Sequence, residues 1–282
     1  MKVSSNMFTA SPEFNRPARH RRPNVLVRAS LAVHVGALML LLWQSALWPW
    51  WVAALLANHL LLALAGLLPR CKLLGANWTR LPAAAAARGE IALTLDDGPD
   101  PVVTPAVLAL LDQHGAKATF FCVGEQAALY PEICRDIVRR GHTIENHSQH
   151  HRHNFSLLGP GGFQRELETA QATLAAITGE RPQFFRAPAG LRNPFLDPVL
   201  QRLGLQLVSW TRRAYDTRVG NPARVLEKLT RSLQAGDILL LHDRDAALTP
   251  AHTPVILEVL PPLLHAIREA GLRTVTLRDA LL

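Results

Sequence analysis

The residues of this chain whose types and spacing can do chemistry lie in its C-terminal two-thirds. Asp96 and Asp97 are adjacent carboxylates within Thr94-Leu95-Asp96-Asp97-Gly98-Pro99. Adjacent carboxylates repel, so one can hold a cation while the other, kept off it, accepts a proton. His147 and His151 are four apart, the spacing that on a helical turn brings two imidazoles to one face, as in zinc sites. With Asp97 they make a three-ligand Asp-His-His set that leaves one coordination position open. Arg186, in Phe185-Arg186-Ala187-Pro188-Ala189-Gly190, can bond a carboxylate, and the Ala189 amide can face an oxyanion. Trp210 and Asp216 come next, then Leu239-Leu240-Leu241-His242-Asp243. There an aliphatic wall that includes Leu241 leads into a titratable imidazole, which suits an acyl pocket with a general acid, His242. The other histidines of the segment, His142, His150 and His153, read as ordinary core or surface residues.

Groups so far apart in sequence meet only on a scaffold. From Ile91 onward, short apolar runs alternate with amphipathic stretches. Strands are expected over residues 91–95, 118–123, 143–145, 183–185, 205–210, 238–241 and 274–277. Helices are expected near 105–113, 125–140, 163–178, 193–203, 222–234 and 254–270, several of them stopped by a glycine such as Gly141 or Gly179. Alternating strands and helices imply an α/β fold with a parallel sheet able to close into a barrel. Each candidate group falls just after a strand, at the carboxyl ends where such folds gather their catalytic residues.

A formal net charge of +8 raises nucleic acid as a partner, but the charge is local. Residues 1–90 carry ten Lys/Arg against Glu13 and Glu90, whereas residues 91–282 carry twenty charges of each sign. A neutral domain gains little from phosphate contacts, so no nucleic acid is expected. The basic residues flank apolar runs instead. Residues 1–28 read as a basic flexible tail, and residues 29–47 are a run of 19 without a formal charge. Trp48, Trp50 and Trp51 suit an interfacial belt at a tight turn, and residues 52–68 form a second apolar run of 17. Residues 69–90 read as a linker to a catalytic domain over 91–282. Positive residues on both flanks and none in the turn predict a transmembrane helical hairpin in the bacterial inner membrane with both ends cytoplasmic. Its rival is a single signal anchor that exports the domain to the periplasm. Cys71, Cys122 and Cys134 contain no CxxC pair and read as small buried hydrophobes of a reducing compartment.

Thr94 to Pro99, His147-Ser148-x-x-His151, Arg186-x-Pro188-x-Gly190, Trp210 with Asp216, and Leu239-x-Leu241-His242 resemble, in order and spacing, the motifs of the NodB-homology polysaccharide deacetylases, carbohydrate esterase family 4. The resemblance implies a distorted (β/α)7 barrel and hydrolysis of an N-acyl group, acetyl or formyl, from an amino sugar. It implies that Asp96 is the general base, that Asp97, His147 and His151 hold a divalent metal, usually zinc, and that Arg186 orients Asp96. It further implies that His242 protonates the leaving amine with Asp216 as its partner. Two positions depart from the family pattern: Ala189 stands where tyrosine is common, and Thr217 where a tryptophan follows the aspartate. An alanine amide is as good a donor, but aromatic surface that commonly lines a sugar groove is lost. Arg192, Arg212, Arg213 and Arg218 near the same strand ends favour an anionic substrate such as a phosphate-linked sugar, and together with the anchor turn the expected substrate toward a membrane-borne glycan or a lipid-linked sugar. A periplasmic peptidoglycan or exopolysaccharide deacetylase, or a silent sugar-binding protein, are the alternatives.

Overall fold

The structure is a computed structural model and describes residues 24–282. Most of the basic tail expected over residues 1–28 thus lies outside the described residues. Val25–Arg28 is already helical, because Asn24 Oδ1 accepts the Leu26 N–H at 2.9 Å and caps α1 (Val25–Trp43). The second apolar helix, α2, spans Trp48–Leu67. The chain reverses at Gln44–Leu47, ahead of the Trp-Pro-Trp-Trp cluster where the turn was expected. Pro49 lies in the first helical turn, where its missing N–H costs no hydrogen bond. Both helices are long and apolar enough to cross a membrane, and Leu42, Leu56 and Leu60 are exposed on them. The polar residues that interrupt the runs face one another across the pair. Asn58 Nδ2 donates to Ser30 Oγ at 2.9 Å, and the His34 and His59 rings are 5.1 Å apart.

From β1 to the C-terminal residue the chain is an α/β fold whose parallel sheet curls into the expected distorted barrel. Its strands are β1 (Glu90–Asp96), β2 (Thr119–Cys122), β3 (Thr143–Asn146), β4 (Phe184–Phe185), β5 (Gln206–Leu207), β6 (Arg212–Arg213), β7 (Ile238–His242) and β8 (Arg273–Val275). The order is β5-β4-β3-β2-β1-β7-β6, with β8 also paired to β1. Seven strands were anticipated; β6 is additional. Its two arginines give no apolar run to recognise, yet they pair with Leu239 and Leu240. Around the sheet stand α3 (Ala83–Ala87), α4 (Val103–Gln113), α5 (Gly124–Leu129), α6 (Pro131–Arg139), α7 (Pro160–Thr178), α8 (Leu196–Leu203), α9 (Pro222–Thr230) and α10 (Val255–Glu269). The single helix expected over 125–140 is two, because Pro131 starts a new one.

Strand alternation separates two apolar layers. Ile91, Leu93 and Leu95 of β1, with Phe120, Leu239 and Leu241, pack outward under α4, α9 and α10. Ala92, Phe121, Phe184, Val208 and Ile238 fill the barrel interior. Each fully buried large side chain contributes roughly 1.5–3 kcal/mol relative to exposure.

Residues 69–90 are not a loose linker. Trp78 pairs with Val208, its N–H donating to Leu207 O at 2.9 Å, and Leu81 N donates to Gly236 O at 2.8 Å. Thr211 Oγ1 donates to Thr79 O at 2.7 Å, so the segment fills the gap between β5 and β6 where the barrel does not close. Ala85 of α3 is fully buried in the interior layer.

Candidate active site

The register of β1 against β7 sets Asp96 beside His242 at the carboxyl end of the sheet. Asp97 follows with φ 75°, a left-handed conformation that aspartate tolerates better than most residues. The next residue, Gly98, packs where a Cβ would come within 2.3 Å of the Asp243 carboxylate. Asp97 Oδ1 lies 3.2 Å from His147 Nε2 and 3.1 Å from His151 Nε2, and the three ligand atoms lie within 4.8 Å of one another.

The two histidines do not share a helical turn. Residues 147–151 form a loop in which Ser148 (φ 67°) and His151 (φ 47°) are left-handed. Asn146 Oδ1 accepts from Ser148 N at 2.8 Å and Ser148 Oγ accepts from His151 N at 3.1 Å, which closes the loop and aims both rings at Asp97. An i,i+4 spacing does not by itself distinguish this loop from a helix. His147 Nδ1 donates to Arg186 O at 2.8 Å, leaving its Nε2 lone pair toward Asp97. Asp97 Oδ1 is accordingly buried without a donor. A carboxylate oxygen and two imidazole nitrogens converging within 4.8 Å form an arrangement that a cation completes, and the donor set suits zinc. Burial would raise the Asp97 carboxyl, but His147, His242 and His151 outweigh it and hold it well below the usual carboxylate range. Burial would lower His147, but Asp96 and Asp97 outweigh it and raise it, whereas burial and His147 lower His151.

Arg186 is fully buried, and its guanidinium is divided among four acceptors. Nη1 donates to Asp96 Oδ1 at 2.6 Å and to Thr94 Oγ1 at 2.8 Å, Nη2 to Ser209 O at 3.0 Å, and Nε to Val208 O at 3.3 Å. The Phe121 ring lies 4.2 Å below it. Asp96 is thereby turned so that its other oxygen, Oδ2, is 3.8 Å from His147 Nε2. Across the cavity, His242 Nδ1 donates to Asp216 Oδ1 at 2.9 Å and the His242 N–H to Asp216 Oδ2 at 2.8 Å. Burial would lower His242, but the Asp216 hydrogen bond and charge, with Asp96 and Asp97, push it up to about 9.

Asp96, Asp97, His147, His151 and His242 surround a cavity of about 270 Å³ that Ala189 and Trp210 also line. Ala189 has φ 54°, and Gly190 behind it admits no side chain, since a Cβ would meet Pro69 at 2.6 Å and Trp210 at 2.7 Å. One expected residue is corrected. Leu241 faces the outer core, and Leu240 lines the cavity, because Leu240 and His242 share one face of β7. Alternation counted back from His242 was the signal that would have found it. Asp243 was also missed as a candidate. It is buried beneath the Asp97–Pro99 turn and accepts from Thr104 Oγ1 at 2.5 Å, and burial pushes its carboxyl up to about 7. The four arginines divide. Arg192 is buried and donates to Cys71 O, and Arg212 pairs with Asp237 at 2.6 Å, whereas Arg213 and Arg218 line the cavity. Cys122 and Cys134 are buried free thiols, while Cys71 is only half-buried.

The profile of the polysaccharide deacetylase family matches residues 84–208. A chitooligosaccharide deacetylase of Azorhizobium caulinodans is 35% identical over 157 residues, 55% of this chain and 74% of that protein. A peptidoglycan-N-acetylglucosamine deacetylase of Bacillus cereus is 31% identical over 203 residues, 68% of this chain and 87% of that protein. Among solved structures, a family 4 carbohydrate esterase from Streptomyces lividans in complex with acetate is 30% identical with a TM-score of 0.60, covering 66% of this chain and 91% of that one. A peptidoglycan N-acetylglucosamine deacetylase superposes with a TM-score of 0.65 at 26% identity, covering 72% and 92%. The chain belongs to the polysaccharide deacetylase family.

Proposed function

We propose that this protein is a membrane-anchored, metal-dependent hydrolase that removes an N-acyl group from an amino sugar carried on a membrane-borne glycan or a lipid. The observation that carries the reading is the convergence of Asp97, His147 and His151 next to an arginine-held Asp96 and an aspartate-held His242, all on one cavity. The deacetylase names of the relatives support an amino-sugar amide as the bond cleaved.

A divalent cation such as zinc, held by Asp97, His147 and His151, would supply Lewis acidity and an open position for the reacting groups. Asp96, kept oriented by Arg186, takes the proton of the attacking water. The Ala189 N–H faces the oxygen on which negative charge develops. His242, held by Asp216, gives its proton to the leaving amine as the carbon–nitrogen bond breaks. Leu240 and Trp210 bound the space for a small acyl group. With basic residues flanking both helices and none in the turn, α1 and α2 form a hairpin in the inner membrane that keeps the catalytic domain on the cytoplasmic face.

Full-length protein purified in detergent with zinc should release acetate or formate from an N-acyl amino sugar, and chelation should stop it. Failure on both acetylated and formylated sugars would refute the reading. An alkaline phosphatase fused to the C-terminus should be inactive in cells; strong activity would put the domain in the periplasm.

A further inference from the structure

A second cavity, of about 650 Å³, adjoins the catalytic one and shares Trp210 and Arg213 with it. Arg70, Arg212, Arg213, Lys228 and Arg231 line it, and no acidic residue does. Arg212 is neutralised by Asp237. Among the described residues, the other four have no carboxylate within ion-pairing distance. The Arg213 Nε is buried without a partner, and its guanidinium lies 5.2 Å from the Trp210 ring and 4.9 Å from that of Tyr215. Lys228 Nζ lies 5.3 Å from the same Tyr215 ring. Tyr215 is held there at φ 60°, a conformation uncommon for a bulky residue, which marks the loop as constrained. Like charges gathered around a concavity repel, and an anion bound among them relieves this.

The location narrows the anion. One wall is Leu68–Cys71, the chain that leaves α2. The end of α2 is fixed to the catalytic rim. Arg192 N donates to Gly66 O at 3.2 Å, and a Cβ on Gly66 would come within 2.2 Å of Arg192 O. Ser209 Oγ donates to Pro69 O at 2.7 Å and Arg70 Nη1 to Thr211 O at 3.2 Å. The exposed apolar faces of Leu64, Leu67 and Leu68 therefore run up to the mouth of the basic cavity.

Resting on the reading of the catalytic cavity above, we infer that the basic cavity binds the phosphate that joins the amino sugar to a lipid. The sugar occupies the catalytic cavity, its phosphate lies among Arg213, Lys228, Arg231 and Arg70, and the lipid chain follows α2 into the bilayer. An anionic phospholipid headgroup offers the same phosphate chemistry without being substrate, and the test separates the two.

Full-length zinc-loaded protein in neutral detergent is given N-acetylglucosamine as its methyl glycoside, as its 1-(methyl phosphate) and as its 1-(farnesyl phosphate), each also in the N-formyl form. Expected is a kcat/KM at least tenfold higher for the phosphate-bearing sugars than for the methyl glycoside, with a further gain from the farnesyl chain. In the Lys228→Gln/Arg231→Gln double variant that ratio should fall at least tenfold. Equal kcat/KM for phosphate-bearing and phosphate-free sugars overturns the inference. So does phosphatidylglycerol stimulating the methyl glycoside through Lys228 and Arg231 while the methyl phosphate gives no advantage. If no sugar is turned over, the catalytic reading fails and the cavity is judged by titration with farnesyl phosphate. Affinity that falls at least tenfold in the double variant supports the phosphate site, and unchanged or absent binding overturns it.

Discussion

The two ends of β1 both bury carboxylates and treat them in opposite ways. At the amino end, Glu90 is closed off by Arg88 at 2.8 Å and by Arg273, and Asp237, just ahead of the neighbouring β7, is closed off by Arg212 at 2.6 Å and Arg80 at 3.0 Å. At the carboxyl end, Asp97 keeps a buried oxygen with no donor, turned toward two imidazole nitrogens, and Asp96 is gripped on one oxygen only. Closed pairs hold a fold; half-satisfied groups are available to a metal, a water or a substrate. The same strand thus separates structural from chemical charge by about six residues, or roughly 20 Å.

The separation predicts different consequences for mutation at each end. Outside the Asp96–Asp97 pair, the largest effect is expected from His242→Ala, which removes the proposed general acid and should slow deacylation by roughly 10² to 10⁴ with little change in zinc content. A His242 with a pKa near 9 carries its proton below that value, so kcat/KM should fall as pH rises through about 9. Asp216→Asn removes the group that raises it, so this basic limb should move to lower pH. A limb that stays in place would detach His242 from the proton transfer.

Next is a residue distant from both ends' chemistry. His142 is buried at the start of β3, accepts the Ala118 N–H at 3.2 Å, and is lowered from 6.5 to about 4, chiefly by burial. Between those values the unfolded chain binds a proton that the folded one refuses, so stability should fall as pH drops from 6.5 to 4, by up to about 3 kcal/mol. His142→Asn keeps an acceptor and should flatten that acid limb in denaturant titrations, with wild-type slope in the variant counting against the assignment. Smallest is Glu90→Gln. Its arginine partners are substantially solvent-accessible and can rehydrate, so the cost should be about 1–2 kcal/mol in unfolding and negligible in kcat. A tenfold loss of kcat would break the distinction between the two ends.

Much of this was legible in sequence because the strands of the barrel are short apolar runs followed at once by the functional groups, as at Leu95-Asp96-Asp97 and Leu241-His242. What was not legible depended on backbone geometry or on long-range packing. The His147–His151 convergence comes from two left-handed residues that no spacing announces. Residues 69–90 looked like a linker because they lack periodicity, yet their backbone groups pair with β5, Thr211 and Gly236. The basic cavity draws on Arg70, Arg213, Lys228 and Arg231, residues that only the fold assembles.

The most direct test of the division of labour between Asp96 and Asp97 measures zinc content and acyl release in parallel for the wild type, Asp96→Asn and Asp97→Asn. Asp96→Asn should bind zinc as the wild type does while losing turnover by on the order of 10² to 10⁴, and Asp97→Asn should lose both. Wild-type turnover by Asp96→Asn, or undiminished zinc affinity in Asp97→Asn, would contradict it.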